Sequence, residues 1–445
     1  MKKVLIITYY WPPGGGAGVQ RWLKFVKYLR KFGWEPVIYT PENGEIPVED
    51  PSLMKDIPEG VEIIKTKIWE PYNLYKKFVG QKSNEKINTG FLTEKKKPSL
   101  LQKISVWIRG NLFIPDARKF WINPSIRYLT NYLKTKPVDV IISSGPPHSM
   151  HLIALGLREK LNLPWIADFR DPWTHIDYYK DLMLSESADR KHHRLEMEVL
   201  QKADRVLVIG ETMKKEFQEL FTIGLNSSEK KSFDKFHVIT NGYDEDDIIK
   251  ANITLDKKFS IAHIGTMVRT RNPEMFWKVI SIFRDQSFEF ANALEIKLVG
   301  KIDHSVWESI DKYKLTKFVN QVDYLPHNEV TKVQQQSQLL LLIVNNTHNA
   351  KGILTGKLFE YLAAKRPILC IGPTYGDAAN IIQETESGVT VDFKDENKMT
   401  EWLKKYFSSF IQGSLRVNSK EIENYSRETL TGKLSSLMNE LVVAN

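Results

Sequence analysis

Hydrophobic positions in this chain fall into short solid runs separated by amphipathic stretches, and the alternation repeats along most of its length. Val4–Tyr9 has the length and apolar density of a buried strand. It is followed by Trp11-Pro-Pro-Gly-Gly-Gly-Ala-Gly18, then by Val19, Leu23, Val26 and Leu29 at helical spacing, with Trp22 and Phe25 widening the apolar face. Phe32-Gly33 ends that helix, and Glu35–Thr40 supplies the next strand. Strand, glycine loop, helix and strand in this order open a parallel α/β sheet. Comparable strands are expected at Val138–Ser143, Pro164–Ala167 and Arg205–Ile209. A helix is expected from about Glu211, and a strand with an Asn-Gly turn over His237–Asp244.

Glu245–Asp256 is polar and lacks an apolar period, which marks a linker. A second alternation then begins: strands at Phe259–Ile264, Leu294–Val299, Val319–Tyr324, Leu339–Val344, Pro367–Ile371 and Val389–Val391, with helices at Pro273–Arg284 and Val330–Gln336. The pattern predicts an α/β protein of two Rossmann-like domains, residues 1–245 and 257–420. Residues 421–445 form a C-terminal helix that can cross back to the first domain. Residues from about 45 to 115 break the rhythm. Within them Leu100, Leu101, Ile104, Trp107, Ile108 and Leu112 recur at near-helical spacing beside Lys103 and Arg109. Such a stripe either covers a sheet or lies on an anionic membrane.

Composition narrows the field. A chain of 445 residues with 42% hydrophobic and 26% charged content can fill two cores. Cys370 is the single cysteine, so no internal disulfide and no cysteine-based zinc cluster can form, which fits a reducing compartment. The first apolar run is too short for a signal peptide, and no run approaches the roughly 20 residues of a membrane helix. The formal charge of +9 favours phosphate-bearing partners. No zinc finger or RNP-like motif supports a nucleic-acid role. The positive charge gathers in residues 76–109, where Lys76, Lys77, Lys82, Lys86, Lys95, Lys96, Lys97, Lys103 and Arg109 face only Glu85 and Glu94.

Candidate chemistry lies in the loops after the expected strands. Thr355–Ala364 reads as a helix running into a buried strand. Lys357 and Glu360, three residues apart, share the face of its first turn, where free N–H groups and the helix dipole favour anions. A cation and a carboxylate placed there suit a nucleoside diphosphate, with Lys357 toward phosphate and Glu360 toward ribose hydroxyls; alternatively the helix merely packs, and its charges are solvated. Arg271, just before the helix starting at Pro273, can clamp phosphate bidentately. Gly14, Gly15, Gly16 and Gly18 allow close backbone approach to a ligand, but depart from the G-x-G-x-x-G spacing. Ser143-Ser-Gly-Pro-Pro-His-Ser149 places His148 for hydrogen bonding to a sugar, with His151 as its neighbour and competitor. Asp168-Phe-Arg-Asp-Pro-Trp173 offers Asp168 and Arg170 to an acceptor hydroxyl, or an internal ion pair that shapes the loop. His192, His193 and Glu196 mimic metal spacing on a helix, but lack a third partner and read as surface.

Together the glycine loop, the Ser-Gly-Pro-Pro-His and Asp-Phe-Arg-Asp-Pro-Trp segments, Thr240–Asp244, the Gly265 to Pro273 turn and Lys357–Ala364 resemble the GT-B glycosyltransferases. The resemblance is to the retaining family 4 group, also called group 1. It implies two domains facing across a cleft and a nucleotide-sugar donor held mainly by the second. Arg271 and Lys357 would neutralise the departing diphosphate, with His148 as a further catalytic-region group. Thr355, Leu358 and Glu360 would belong to the donor set, and Glu360 would hold the ribose. Gly15, Gly16 and Gly18 would close over phosphate and sugar, with the acceptor near Asp168 and Arg170. No metal and no separate cofactor is implied. Hexosyl transfer with retention, to a glycan or lipid-linked acceptor of cell-surface polysaccharide, is the activity that follows. The site of action would be cytoplasmic, with the basic insert touching the inner membrane face. Many relatives carry two glutamates with seven residues between them. Glu360 matches the second, but Gly352 occupies the first place, so sugar contacts must come from elsewhere, such as backbone groups at Gly352–Thr355. A nucleotide-sugar epimerase and a non-catalytic nucleotide-sugar-binding protein are the alternatives on this architecture.

Overall fold

The computed structural model describes residues 1–46, 48–71, 100–223, 233–249, 253–323 and 325–443. The chain divides into two compact units, residues 1–240 with 430–445, and residues 241–429. In the first unit, β1 (Lys2–Ile7), β2 (Trp34–Pro41), β3 (Glu62–Thr66), β4 (Val140–Gly145), β5 (Trp165–Phe169), β6 (Arg205–Val208) and β7 (Phe236–Val238) form one sheet in the order β3-β2-β1-β4-β5-β6-β7. All pairs are parallel. β4 and β5 are buried at every position, so neither alternates with a solvent face, and the polar Ser143, Ser144 and Asp168 within them are buried too. The strand order reverses between β1 and β4, so the loops after these strands flank the point where such sheets take ligands.

The second unit repeats the plan with β8 (Phe259–Ile264), β9 (Leu294–Val299), β10 (Val319–Val322), β11 (Leu339–Ile343), β12 (Ile368–Ile371) and β13 (Gly388–Val391), in the order β10-β9-β8-β11-β12-β13. These pairs are parallel too. The order reverses between β8 and β11. Its core joins Trp277, Phe283, Phe290 and Phe407 to the sheet, with Phe283 and Phe290 stacked at 4.1 Å.

Three features add to the sequence expectation. The stretch read as a break in rhythm contains β3, an edge strand in which Ile64 is the buried residue of Glu62–Thr66; its alternation is too short to stand out. The C-terminal helix forms apart from the helix before it. Glu396–Ile411 ends before an extended stretch, and a separate helix, Arg427–Val443, follows. Leu430, Leu434, Met438 and Leu441 of that helix are buried in the first unit's core with Trp22, Leu23 and Val26, and Lys2 donates to the Asn439 side chain at 3.0 Å. Lastly, the helix Leu100–Leu112 forms, but its apolar stripe is not wholly covered: Ile104, Trp107 and Leu112 are exposed. The basic residues from Lys76 to Lys97 lie outside the described residues.

Candidate active site

In the second unit, the loops after β8 and β11 and the helix Gly356–Ala364 bring Arg271, Lys357 and Glu360 together. Gly265 turns the chain out of β8 with φ of +108°, and the Lys357 stem lies directly over it. A Cβ at Gly265 would sit 2.4 Å from Cε and 2.6 Å from Nζ of Lys357, so only glycine leaves room for this cation. The Tyr361 hydroxyl, one turn further along the helix, accepts the Ile264 N–H at 3.0 Å and ties the helix to the end of β8. Arg271 donates from Nε to Asn345 Oδ1 and from Nη1 to the Thr266 carbonyl at 3.2 Å, which fixes its guanidinium.

Burial and the nearby Arg271 charge push the Lys357 ammonium down to about 7, with Glu360 offsetting part of the shift. Lys357 has no ion pair among the described residues. Two neighbouring cations, one half-desolvated, form a site whose energy falls when an anion arrives. The helix adds to this. Thr355 caps it without a side-chain hydrogen bond, its hydroxyl is buried without a partner, and Leu358 N–H turns back to the Thr355 carbonyl at 3.2 Å. Among the described residues the N–H groups of Gly356 and Lys357 find no backbone acceptor. Glu360 receives Gln334 Nε2 at 2.9 Å on Oε2, while Oε1 has no partner among the described residues.

In the first unit, His148 and His151 converge on Gly145 at the end of β4. A Cβ there would lie 2.5 Å from His151 Nε2 and 3.1 Å from His148 Nδ1, and both nitrogens are buried without a partner. Trp165 Nε1 donates to Ser143 Oγ at 2.8 Å, and that hydroxyl meets His151 Nδ1 at 2.8 Å. The hydroxyl proton has the imidazole as its acceptor, which leaves the ring proton of His151 on Nε2, facing Gly145. Burial pushes His148 well below the ordinary histidine range and His151 down to about 3, so both are neutral. Arg170 donates from Nη2 to the Pro146 carbonyl and lies over the Tyr10 ring at 5.6 Å. Its Nη1 is 2.6 Å from where a Gly18 Cβ would be, beside the start of the helix Ala17–Leu29.

The Glycosyltransferase Family 4 model matches residues 88–247, less than half of the chain. Solved structures agree in fold across the whole length. Sucrose-phosphate synthase from Thermosynechococcus elongatus aligns over 100% of both chains at a TM-score of 0.62 and 12% identity. TarM from S. aureus, crystallised with Fondaparinux, alpha-GlcNAc-glycerol and UDP, aligns over 99% of this chain and 100% of its own at 0.59 and 13%. WaaG, a glycosyltransferase involved in lipopolysaccharide biosynthesis, aligns over 98% and 99% at 0.56 and 12%. The chain carries a Glycosyltransferase Family 4 match over residues 88–247 within a GT-B fold. No curated protein matches the sequence.

The structure places the expected site residues unevenly. Arg271, Lys357, Glu360 and Thr355 share one neighbourhood, and Gly16, Gly18, His148 and Arg170 lie at the first unit's strand ends. Gly16, with φ of +89° and open space where a side chain would be, is the exposed part of the glycine loop, whereas Gly18 is half-buried beneath Arg170 and Tyr10. Gly15 is not available to a ligand, because its N–H is spent on the Val48 carbonyl at 2.9 Å and its α-carbon packs against Asp50. Leu358 is fully buried and its N–H is used within the turn, so it has no group to offer a ligand.

Asp168 also departs from expectation. It is fully buried and accepts from Arg21 Nη2 at 2.8 Å, Trp22 Nε1 at 2.8 Å and Ser144 Oγ at 2.9 Å, so it joins β4, β5 and the first helix rather than meeting an acceptor. His192 and Glu196, read as surface, are 4% and 2% exposed, while His193 points outward. Among the described residues no cluster of three His, Cys, Asp or Glu could hold a metal. Asn345, Gln334 and Tyr361 were not singled out in the sequence. Their roles depend on neighbours from other elements, which no local spacing reveals.

Proposed function

We propose that this protein is a glycosyltransferase that moves a hexosyl group from a nucleotide-sugar to a glycan or lipid-linked acceptor, with retention of anomeric configuration, in the assembly of cell-surface polysaccharide. The observation that carries the reading is the unpaired Lys357 ammonium beside Arg271 and the open first turn of Gly356–Ala364. These groups suit a pyrophosphate, and their charge is already in place when the leaving group separates, so neither a metal nor a separate cofactor is needed on this reading. Glu360 Oε1 is free to accept from ribose hydroxyls while Gln334 holds the other oxygen. The UDP bound to TarM and the lipopolysaccharide role of WaaG, both proteins of this fold, favour the same chemistry here.

The first unit would take sugar hydroxyls at His148 and His151, neutral rings that each keep one nitrogen without a partner, Nδ1 and Nε2 respectively, with Arg170 nearby. Exposed Ile104, Trp107 and Leu112, together with exposed Trp69 and Phe120 packed edge-on at 4.8 Å, supply apolar contact for a membrane surface, beside exposed Lys103. No helix among the described residues is long and apolar enough to cross a membrane. On this reading the exposed apolar and basic face meets an anionic, cytoplasmic leaflet.

The test is a thermal-shift screen of the full chain with nucleoside diphosphates and their sugars, repeated on Lys357→Ala, Arg271→Ala and Glu360→Ala. One nucleotide series should stabilise the wild type, and Lys357→Ala should abolish that gain. Equal stabilisation of all four proteins would remove the site, and turnover of donor to an epimerised sugar without acceptor would replace the reaction.

A further inference from the structure

The helix Glu186–Lys202 presents His192 and Glu196 on one face, four residues apart, and both are buried against the loop that follows β5. Glu196 accepts the backbone N–H of Trp173 at 3.2 Å, that of Thr174 at 3.3 Å and the Thr174 hydroxyl. His192 Nδ1 accepts the indole N–H of Trp173 at 3.0 Å, which puts the proton of His192 on Nε2, toward the Gly110 carbonyl at 3.5 Å. Trp173 is thus held at both its backbone and its ring, and is 3% exposed. Its ring lies parallel to His148, with centroids 4.5 Å apart and planes 3° apart.

Nothing else observed holds the His148 ring in plane as closely. Its Nδ1 is without a partner, and its other ring neighbours, His151 and Phe169, are tilted at 5.9 Å and 6.1 Å. A buried carboxylate and a buried imidazole are costly to desolvate, and here each is spent on Trp173 or its neighbour. We propose that His192 and Glu196 are positioning residues for His148, acting through Trp173. The proposal rests on the reading that His148 meets the sugar. A ring displaced by about 1 Å costs on the order of a hundredfold in rate, so the expected signature is lost turnover with nucleotide binding intact.

The test needs no identified acceptor. The full-length protein is labelled at histidine Cε1, and the His148 resonance is assigned by its loss in His148→Gln. Stacking on Trp173 should give that signal a ring-current shift. In His192→Phe and Trp173→Leu it should move, while His263 in the other unit stays in place. In His193→Phe nothing should move. Thermal stabilisation by UDP, GDP and ADP, run on the same proteins, should be unchanged in His192→Phe. Where one nucleotide-sugar of a UDP-, GDP- and ADP-linked panel is turned over, kcat should fall tenfold or more with KM for the donor within twofold, and His192→Gln, which keeps an acceptor for the indole, should recover part of it. An unmoved His148 resonance in both His192→Phe and Trp173→Leu would overturn the inference while leaving the nucleotide site standing. Loss of nucleotide binding only in Lys357→Ala would support that site whatever His148 does.

Discussion

Lys357 lies over Gly265 so closely that a methyl group on the glycine would occupy space 2.6 Å from the lysine nitrogen. Gly265→Ala therefore strains the backbone at φ of +108° and displaces the cation together. The backbone term alone should cost about 1–2 kcal/mol in a denaturant titration. The larger effect should be on ligand binding: stabilisation by the preferred nucleoside diphosphate should vanish as in Lys357→Ala. Retained binding would mean that Lys357 does not need its present position.

The lysine also sets a pH dependence. Its folded value of about 7 lies below the ordinary 10.5, held there by burial and Arg271 against Glu360. A bound diphosphate would restore the charged form, so binding above pH 7 takes up a proton. Affinity should be flat below pH 7 and weaken by up to about tenfold per unit above it. Calorimetry in buffers of different ionisation heat would count the proton, and Lys357→Arg should flatten the profile. In the ligand-free protein the sign is opposite. The unfolded chain binds more protons between about pH 7 and 10.5, so this group makes stability rise with pH across that window.

Asp168→Ala should damage the first unit rather than acceptor affinity. It leaves the fully buried Arg21 guanidinium without its carboxylate, at a cost of about 3–5 kcal/mol. Arg21 holds Asp168 below the usual carboxylate range despite its burial. The stability it contributes is therefore present above the unfolded carboxyl value and lost as pH falls through the folded one. Chemical denaturation of wild type and variant at neutral and acid pH should show the difference closing toward low pH.

Leu434→Ala removes a fully buried side chain from the first unit's core, although it lies near the end of the sequence. The expected loss is about 2–5 kcal/mol. Hydrogen exchange should place the weakened protection in β1, β2 and the helix Ala17–Leu29. A loss confined to the second unit would contradict the packing.

Trp107→Ser, at a side chain 43% exposed, should leave stability within about 0.5 kcal/mol. If this face meets lipid, cosedimentation with vesicles containing phosphatidylglycerol should fall several-fold, and wild-type binding should weaken with salt. Equal sedimentation of wild type and variant would assign Trp107 another role.

Much of this was readable in the chain. The central strand β11 is solidly apolar, and β4 and β8 carry short apolar runs, because all three are buried at every position, so they announce themselves without context. Lys357 and Glu360 were legible because three residues on a helix make one face. The failures share a cause. Arg21 and Asp168 stand 147 positions apart in sequence, and nothing local tells a buried ion pair from a solvated one. His192 and Glu196 sit on a helix so polar that burial was not expected, yet their face meets an aromatic loop that needs acceptors. Gly15 carries the signature of a ligand loop, but its N–H is claimed by Val48, which only the bridge from Gly14 to Glu49 discloses.

The helix Arg427–Val443 gives the chain an order of completion. The first 240 residues leave the ribosome early, yet the groove that Leu430, Leu434, Met438 and Leu441 fill stays open until translation has passed position 441. Nascent chains stalled anywhere within the second unit should thus expose apolar surface beside Trp22 and Val26 and attract chaperones, and the half made first becomes native last.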